Sequence, residues 1–273
     1  MGPALTPTEF LSYSLAGLLV GISVGLTGIG GGSMMAPLLI LVFNVPAARA
    51  VQLDFLYLVP TKLAAAWQHQ RGGTVDRPLA VLLALGALPG TAIGSLYVSH
   101  AVAGNPALEL QLRRLIGLFV LASAILLLAQ LAIMWRRHAP SLEVRTTGFS
   151  LVHGALIVLL GAGVGVFVGA TSIGAGSILL PLLVLLLRVH MRRLVSTDVV
   201  VGALMAIVGA AIHGSAQAVP WPIVAALLLG SLPGALLGAR LVGIVSTRLV
   251  RGAVAGALLM SGLILTGTIS AAT

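Results

Sequence analysis

The chain has 273 residues, of which 59% are hydrophobic and only 8% are charged. A soluble domain carries charges at about a quarter of its positions, so this composition excludes an ordinary water-soluble protein and indicates an integral membrane protein. The net charge is +9 and no cysteine is present, which excludes disulfides and cysteine-ligated metals. The N-terminus has no basic stretch ahead of its first apolar run, so we expect no cleaved signal peptide.

Ten apolar segments follow one another along the chain, five in each half. Their long apolar runs favour transmembrane helices over β-barrel strands, in which apolar and polar residues alternate. The second segment of each half has only fourteen residues, about 21 Å of helix, less than the ~30 Å hydrocarbon core. The sequence therefore predicts an all-α polytopic membrane protein with about eight to ten transmembrane helices. The segments cover residues 10–26, 31–44, 53–70, 78–98 and 113–135, then 150–170, 175–188, 197–214, 222–241 and 250–270.

The two halves of the chain repeat each other at a constant offset of 144 residues. The stretch "TGIGGGS" at 27–33 returns as "TSIGAGS" at 171–177, and further Gly, Pro, Asp and His positions coincide over about seventy residues. Two-fold internal repeats of this kind form many secondary transporters. We expect one membrane domain in which the first repeat covers residues 1–138 and the second covers residues 139–273.

The fourteen arginines indicate how the two repeats are oriented in the membrane. If each half crosses an odd number of times, eleven arginines fall on one side and three on the other; if each motif breaks a single crossing, the split is nine against five. Cytoplasmic loops carry the arginine excess, so the sharper split favours inverted repeats with both termini on the non-cytoplasmic side. The arginine count on each side is the same whether the motif segments span the membrane or are re-entrant, so it does not distinguish these two arrangements. It also explains the basic charge without a nucleic acid partner.

Each glycine motif breaks an apolar stretch and precedes a short segment. Non-helical backbone at membrane depth persists only where protein or a water-filled cavity satisfies its polar groups. The first N–H groups of the new helix carry partial positive charge, and glycine lets a ligand approach the backbone closely, so the pattern favours a small-anion site near the midplane. The alternative is that the glycines serve close helix packing. The candidate substrate-binding residues of the two motifs are Gly30, Gly31, Gly32, Ser33, Ser172, Gly174, Gly176 and Ser177.

The stretches "GLTGIGGGSMMAPLLILVFNVPAARAV" and "GATSIGAGSILLPLLVLLLRV", together with the repeated "LPG", resemble the TauE/SafE family of sulfite and sulfonate exporters. The resemblance covers nearly the whole chain. It implies an inner (plasma) membrane transporter of small anions such as sulfite or organosulfonates, without implying one substrate. The second copy has Ser172 where the first has Gly28, and Ala175 where it has Gly31, so a binding site built from both copies would be asymmetric.

Lys62 is the one lysine of the chain and lies in the middle of the third segment. A cation near the bilayer centre costs at least ~2.5 kcal/mol on insertion scales, so it is a functional candidate by default. We interpret Lys62 as the positive charge that binds the anion. Its equivalent in the second repeat is Ala206, so repeat symmetry does not require it. The alternative is a snorkelling side chain or one held by a structural partner.

Asp54 and His69 flank Lys62, and Asp198 and His213 are their equivalents in the second repeat. Positions 54, 62 and 69 share one helix face. We hypothesise two cross-repeat Asp–His pairs that act as gates or proton relays, since histidine titrates near physiological pH. The alternative is that both aspartates are helix N-caps, because "QLD" and "STD" each precede an apolar run.

The leading function is a secondary anion transporter that works by alternating access and is coupled to a proton or sodium gradient. The alternative is an anion channel. An intramembrane enzyme is disfavoured because each Asp–His set is fifteen residues apart, about 22 Å along a helix, and no HExxH-like spacing or GxxxxGK[ST] loop occurs. We expect no catalytic residues, cofactor or metal. Pro89 and Pro233 are expected to bend the fourth segment of each half.

Overall fold

A computed structural model describes eight stretches of the chain. They cover residues 5–27, 32–71, 75–136, 151–174, 176–179, 182–183, 191–241 and 247–268. Within these stretches the regular secondary structure is helical and no β-strand is present. The predicted all-α class is confirmed.

Nine α-helices lie within the described residues, and a π-helical segment at Tyr97–Val102 directly follows the fourth. The bounds of the helices are α1 Pro7–Thr27, α2 Gly32–Leu41, α3 Ala47–Arg71, α4 Arg77–Leu96, α5 Pro106–Arg136, α6 Leu151–Thr171, α7 Met191–Ala216, α8 Trp221–Leu241 and α9 Thr247–Thr266.

Seven of these helices are long and apolar enough to cross a membrane: α1 and α4 through α9. Their large apolar side chains are widely exposed, as at Leu19, Leu159 and Leu229, which suits helices surrounded by lipid. The helix α2 has ten residues, about 15 Å, and is too short to span the hydrocarbon core. The helix α3 lies outside the set of seven and carries Asp54 and Lys62.

The N-cap interpretation of Asp54 and Asp198 is wrong. The helix α3 begins at Ala47 and α7 begins at Met191, so both aspartates lie about two turns inside their helices. An aspartate at that depth cannot act as an N-cap, because the free N–H groups belong to the first turn and the N–H groups near the aspartate already bond within the helix.

Two helix pairs pack with their backbones in contact: α1 with α8, and α4 with α6. Glycines on α4 face the backbone of α6, and glycines on α8 face the backbone of α1. Small residues allow this close approach in membrane helices. The α4 contacts are Gly86 to Val158, Gly90 to Ala162 and Gly94 to Val166; the α8 contacts are Gly230 to Ser14, Gly234 to Leu18 and Gly238 to Ile22.

Each of the three α4 contacts maps onto one of the three α8 contacts at the 144-residue offset found in the sequence. The first segment of each half thus packs on the fourth segment of the other half. Of the remaining major contacts, α3 with α7 and α5 with α9 join equivalent segments, and α4 also packs on α7. The packing has the pattern of a two-fold relation between the halves. The inverted orientation and the division at residue 138 stay predictions.

The two prolines of the "LPG" stretches lie within helices that the structure describes as continuous. Pro89 is inside α4 and Pro233 is inside α8, and both face outward. The glycine that follows each proline contacts the partner helix. The prolines therefore occupy the lipid-facing side of the two glycine-lined helix pairs.

Candidate functional site

The second glycine motif forms a break directly after α6. Three residues of the break have left-handed backbone, with φ of 58° at Ser172, 127° at Gly174 and 102° at Gly176. Such values are uncommon for residues other than glycine, so Ser172 is the unusual member. The amide of Ser172 closes the end of α6 on the Val168 carbonyl at 2.6 Å, and a new turn begins where Ile178 donates to the Gly174 carbonyl at 3.0 Å.

The first motif also separates two helices, since α1 ends at Thr27 and α2 begins at Gly32. Of its candidate residues, Gly30 and Gly31 lie outside the described residues. Ser33 is buried in the first turn of α2. Its equivalent Ser177 is also buried and lies 3.1 Å from the hydroxyl of Ser123 on α5.

Asp54 reaches the second break from the neighbouring helix α3. Its carboxyl group is fully buried, with 0% of the residue exposed. The hydroxyl of Ser172 lies 2.6 Å from Asp54 Oδ2. The other oxygen, Oδ1, has no hydrogen-bond partner within the part of the chain that the structure describes. A residue of the first repeat is therefore joined to the motif of the second.

Asp198 on α7 contacts the same break from another side. Its carboxylate accepts a hydrogen bond from the backbone N–H of Gly176. The residue is buried, and its Oδ1 also lacks a partner among the described residues. The backbone of the glycine motif thus already holds an anionic oxygen in this structure.

Lys62 lies on α3 and interacts electrostatically with both Asp198 and Asp54. Its position on α3 therefore brings its positive charge to the aspartates of both repeats. The structure places Lys62, Asp54, Asp198 and the second motif in one cluster, in which the two aspartates are buried and Lys62 is partly buried. In the sequence, Asp54 and Lys62 lie on the third apolar segment and Asp198 lies on the eighth, and nothing in the sequence shows that they meet.

His213 lies close to this cluster but is not hydrogen-bonded to an aspartate in the described part of the chain. The imidazole bonds the backbone of Gly169, Nε2 has no partner, and the ring stacks on Phe55 with centroids 5.5 Å apart. The hypothesised Asp54–His213 pair is therefore not formed as a hydrogen bond in this structure. The side chain of His69 lies outside the described residues.

Several polar residues of the site are not singled out by the sequence pattern. The buried side chain of Gln52 donates to the carbonyls of His213 and Gln217, at 3.0 Å each. The buried Tyr57 hydroxyl bonds Ser231 on α8. These bonds fix α3 against α7 and α8, and no local sequence signal indicates them because the partners are more than 150 residues apart.

Metal chemistry has no ready donor set here. Among the residues that the structure describes, no group of three His, Asp or Glu side chains could hold a metal ion. The described polar groups of the cluster are two carboxyls, one ammonium group, hydroxyls and backbone amides. Amides and ammonium groups are donors to anions, whereas carboxyl groups take up protons or cations.

The fold and this cluster define a polytopic helical membrane protein with buried carboxyl groups at a helix break, as transporters have. The sulfite exporter TauE/SafE profile matches residues 13–265. The chain belongs to the TauE/SafE family.

Curated relatives of the chain are named as membrane transporters. One is the "Probable membrane transporter protein YjnA" of Bacillus subtilis, 32% identical over 259 residues, which covers 93% of this chain and 98% of the relative. Another is the "Probable membrane transporter protein YdhB" of the same organism, 26% identical over 247 residues, or 90% and 96% of the two chains. A "Probable membrane transporter protein" of Xylella fastidiosa is 29% identical over 129 residues, 47% and 46% of the two chains. No solved structure matches the chain. The protein is a membrane transporter.

Proposed function

We propose that this protein is a secondary transporter that exports a small anion such as sulfite or an organosulfonate by alternating access. The family description, sulfite exporter TauE/SafE, supports the class of substrate. Transport is coupled to an ion gradient, of protons or sodium. The substrate binds at the two glycine motifs and Lys62, in a chain inserted in the inner membrane.

The observation that carries this proposal is the way in which Asp198 is held. Its carboxylate accepts from the Gly176 backbone N–H and also interacts with the Lys62 ammonium. Amides beside a helix break and a nearby cation are the donors that bind sulfonate or sulfite oxygens equally well. The contact of the Asp198 carboxylate with these donors supports the proposal that this arrangement binds an anionic oxygen of the substrate.

Lys62 supplies the full charge of the proposed site. A charge-assisted hydrogen bond contributes about 1.5–3 kcal/mol, so we expect Lys62→Ala to weaken anion binding by roughly tenfold to a hundredfold. The matched control is Arg113→Ala, which removes an exposed cation on α5. Lys62→Arg retains the charge and is expected to lose less affinity than Lys62→Ala.

The binding test is a thermal-shift panel of purified protein with sulfite, sulfoacetate, taurine and sulfate. We expect at least one anion to stabilise wild type and Arg113→Ala, and to stabilise Lys62→Ala much less. Equal stabilisation of wild type and Lys62→Ala would show that Lys62 does not bind the anion. If none of the four anions stabilises wild type, the proposed substrate class is wrong.

A flux assay separates this proposal from an anion channel. In proteoliposomes, a transporter gives saturable uptake and counterflow against internal unlabelled anion, whereas a channel gives neither. The proposed topology, with both termini outside the cytoplasm and the repeats at 1–138 and 139–273 inverted, is tested by reporter fusions at each terminus. Cytoplasmic activity of either reporter would contradict it.

A further inference from the structure

The hydroxyl of Ser172 makes two short contacts that require two hydrogens. Its Oγ lies 2.6 Å from Asp54 Oδ2 and 2.6 Å from the carbonyl oxygen of Thr171. Distances of this length between oxygens are those of strong O–H···O bonds. A serine hydroxyl provides one hydrogen, and a carbonyl oxygen provides none. One of the two contacts must therefore receive its hydrogen from Asp54.

A protonated Asp54 satisfies both contacts at once. Asp54 Oδ2–H then donates to Ser172 Oγ, and Ser172 Oγ–H donates to the Thr171 carbonyl. An ionised Asp54 would leave one pair of oxygens 2.6 Å apart with no hydrogen of its own between them. Burial favours the same assignment, because Asp54 is 0% exposed, a buried carboxylate is costly, and the one nearby ammonium group, Lys62, is shared with Asp198.

The charged and titratable groups that face Asp54 come mainly from two helices. Lys62 and Tyr57 lie on α3 itself, and α7 contributes Asp198 and, stacked on Phe55, His213. The short helix α2 has no ionisable residue. The remaining ionisable residues of α7 and those of the other elements packed on α3 lie near the ends of these elements. They are Arg192, Arg193, Arg240, Glu109, Arg113, Arg114, Arg136, Tyr97 and His100.

We propose that Asp54 is the group through which this transporter couples anion movement to a proton gradient, with Ser172 as the acceptor of its proton. The proposal rests on the function proposed above. It assigns the coupling ion as H⁺ and the coupling mode as cotransport, one proton with each monoanion.

Charge balance in the cluster gives the direction of the coupling. With Asp54 neutral, Lys62 and Asp198 cancel, and an arriving monoanion brings the cluster to a net charge of −1. With Asp54 ionised the cluster is already at −1, and the same anion would bring it to −2 in a buried site, which is strongly unfavourable. Proton binding therefore precedes anion binding, and the two leave together. Export then occurs where the outward gradient of the anion exceeds the inward gradient of the proton, because both move in the same direction.

Release of the proton follows from the position of the two partners. Asp54 lies on α3 and Ser172 lies at the end of α6, so a movement between these elements separates them. The Asp54 O–H bond then breaks, its electron pair stays on the carboxylate beside Lys62, and the proton passes to water in the opened cavity. Return of the carboxyl to Ser172 requires a new proton from the other side.

Infrared spectroscopy tests the protonation independently of transport, because the chain has only six Asp and Glu residues. At neutral pH we expect wild-type protein to show the C=O stretch of a protonated, hydrogen-bonded carboxyl. Asp54→Asn should lose this band, Asp198→Asn should retain it, and Ser172→Ala should shift it, since only its hydrogen-bond partner is removed. A band that persists in Asp54→Asn, or its absence from wild type at neutral pH, would overturn the proposal.

Proteoliposomes test the coupling. We expect a pH gradient to drive sulfite accumulation by wild type and not by Asp54→Asn, while sulfite still stabilises Asp54→Asn in the thermal-shift assay. Accumulation driven by pH in Asp54→Asn, or driven by sodium alone in wild type, contradicts the proposal. If no anion binds or is transported by wild type, the proposed function fails, whereas the infrared band still decides the state of Asp54. Ser172→Ala provides the second variant if Asp54→Asn does not fold.

Discussion

Gly161 and Gly163 of α6 give a matched test of the helix packing, because only Gly161 faces α4. A Cβ at Gly161 would lie 2.7 Å from the Leu83 carbonyl oxygen and 3.2 Å from the Ala87 amide nitrogen, whereas a Cβ at Gly163 meets nothing within 4 Å. Ordinary contact begins near 3.4 Å, so Gly161→Ala must move α6 from α4 by about 0.7 Å. Overpacking of this kind costs about 1–3 kcal/mol.

Gly163→Ala is the control and is expected to raise the free energy of unfolding. Alanine is better than glycine within a helix by up to about 1 kcal/mol, and here it creates no contact. The two variants carry the same substitution in the same helix, two residues apart. We therefore expect their free energies of unfolding to differ by about 2–4 kcal/mol, with Gly161→Ala the less stable.

The assay is equilibrium unfolding in mixed micelles of increasing SDS fraction, followed by circular dichroism. Gly17→Ala extends it to the other pair, because Gly17 is the repeat equivalent of Gly161 and faces the Leu227 backbone. If Gly161→Ala is as stable as Gly163→Ala, the close backbone contact between α4 and α6 is refuted. If Gly161→Ala is destabilised and Gly17→Ala is not, the equivalence of the two pairs is refuted.

Three further substitutions test the described contacts. Gln52→Leu removes the donor to the carbonyls of His213 and Gln217. Because both acceptors lose a partner, the free energy of unfolding should fall by roughly 1–3 kcal/mol. Chemical denaturation measures this loss. Asp76→Ala removes the acceptor of the Leu79 amide at 3.2 Å and should cost about 1 kcal/mol as a lost N-cap, with Asp76→Asn as the retained-cap control. For His213→Ala, the Asp54 proposal predicts that proton-driven sulfite uptake keeps its pH profile; a shifted profile would instead support the Asp–His pair.

Local features of the fold could be predicted from the sequence because glycine and proline determine the backbone conformation at and next to their own positions. The break at residues 171–177 appears where "TSIGAGS" indicates it, and the helix pairs follow the 144-residue offset. The start of α5 could also have been read, because Asn105 caps it and Pro106 is its first residue. The prediction began this segment at residue 113, whereas the helix begins at Pro106.

The relation between Asp54 and Ser172 could not have been read from the chain. The two residues are 118 positions apart, and their contact depends on how α3 packs on the end of α6. The N-cap interpretation failed for a related reason. The helix α3 begins just after Pro46, which favours a helix start, whereas the aspartate drew the prediction to residue 54. Both Pro46 and Asp54 are local signals for a helix start, and packing decides which of the two begins the helix.

The exchange of partners between the halves constrains how the molecule can move. Each tightly packed pair, α1 with α8 and α4 with α6, contains one helix from each half of the sequence. Rocking one half against the other would have to pull apart both glycine-lined seams, where backbone lies against backbone. Under the alternating access proposed above, the sliding boundary runs between the pairs and the α3–α7 core, across the contact of α4 with α7. The two halves of the sequence are therefore not the two units that would move, because each tightly packed pair contains one helix from each half.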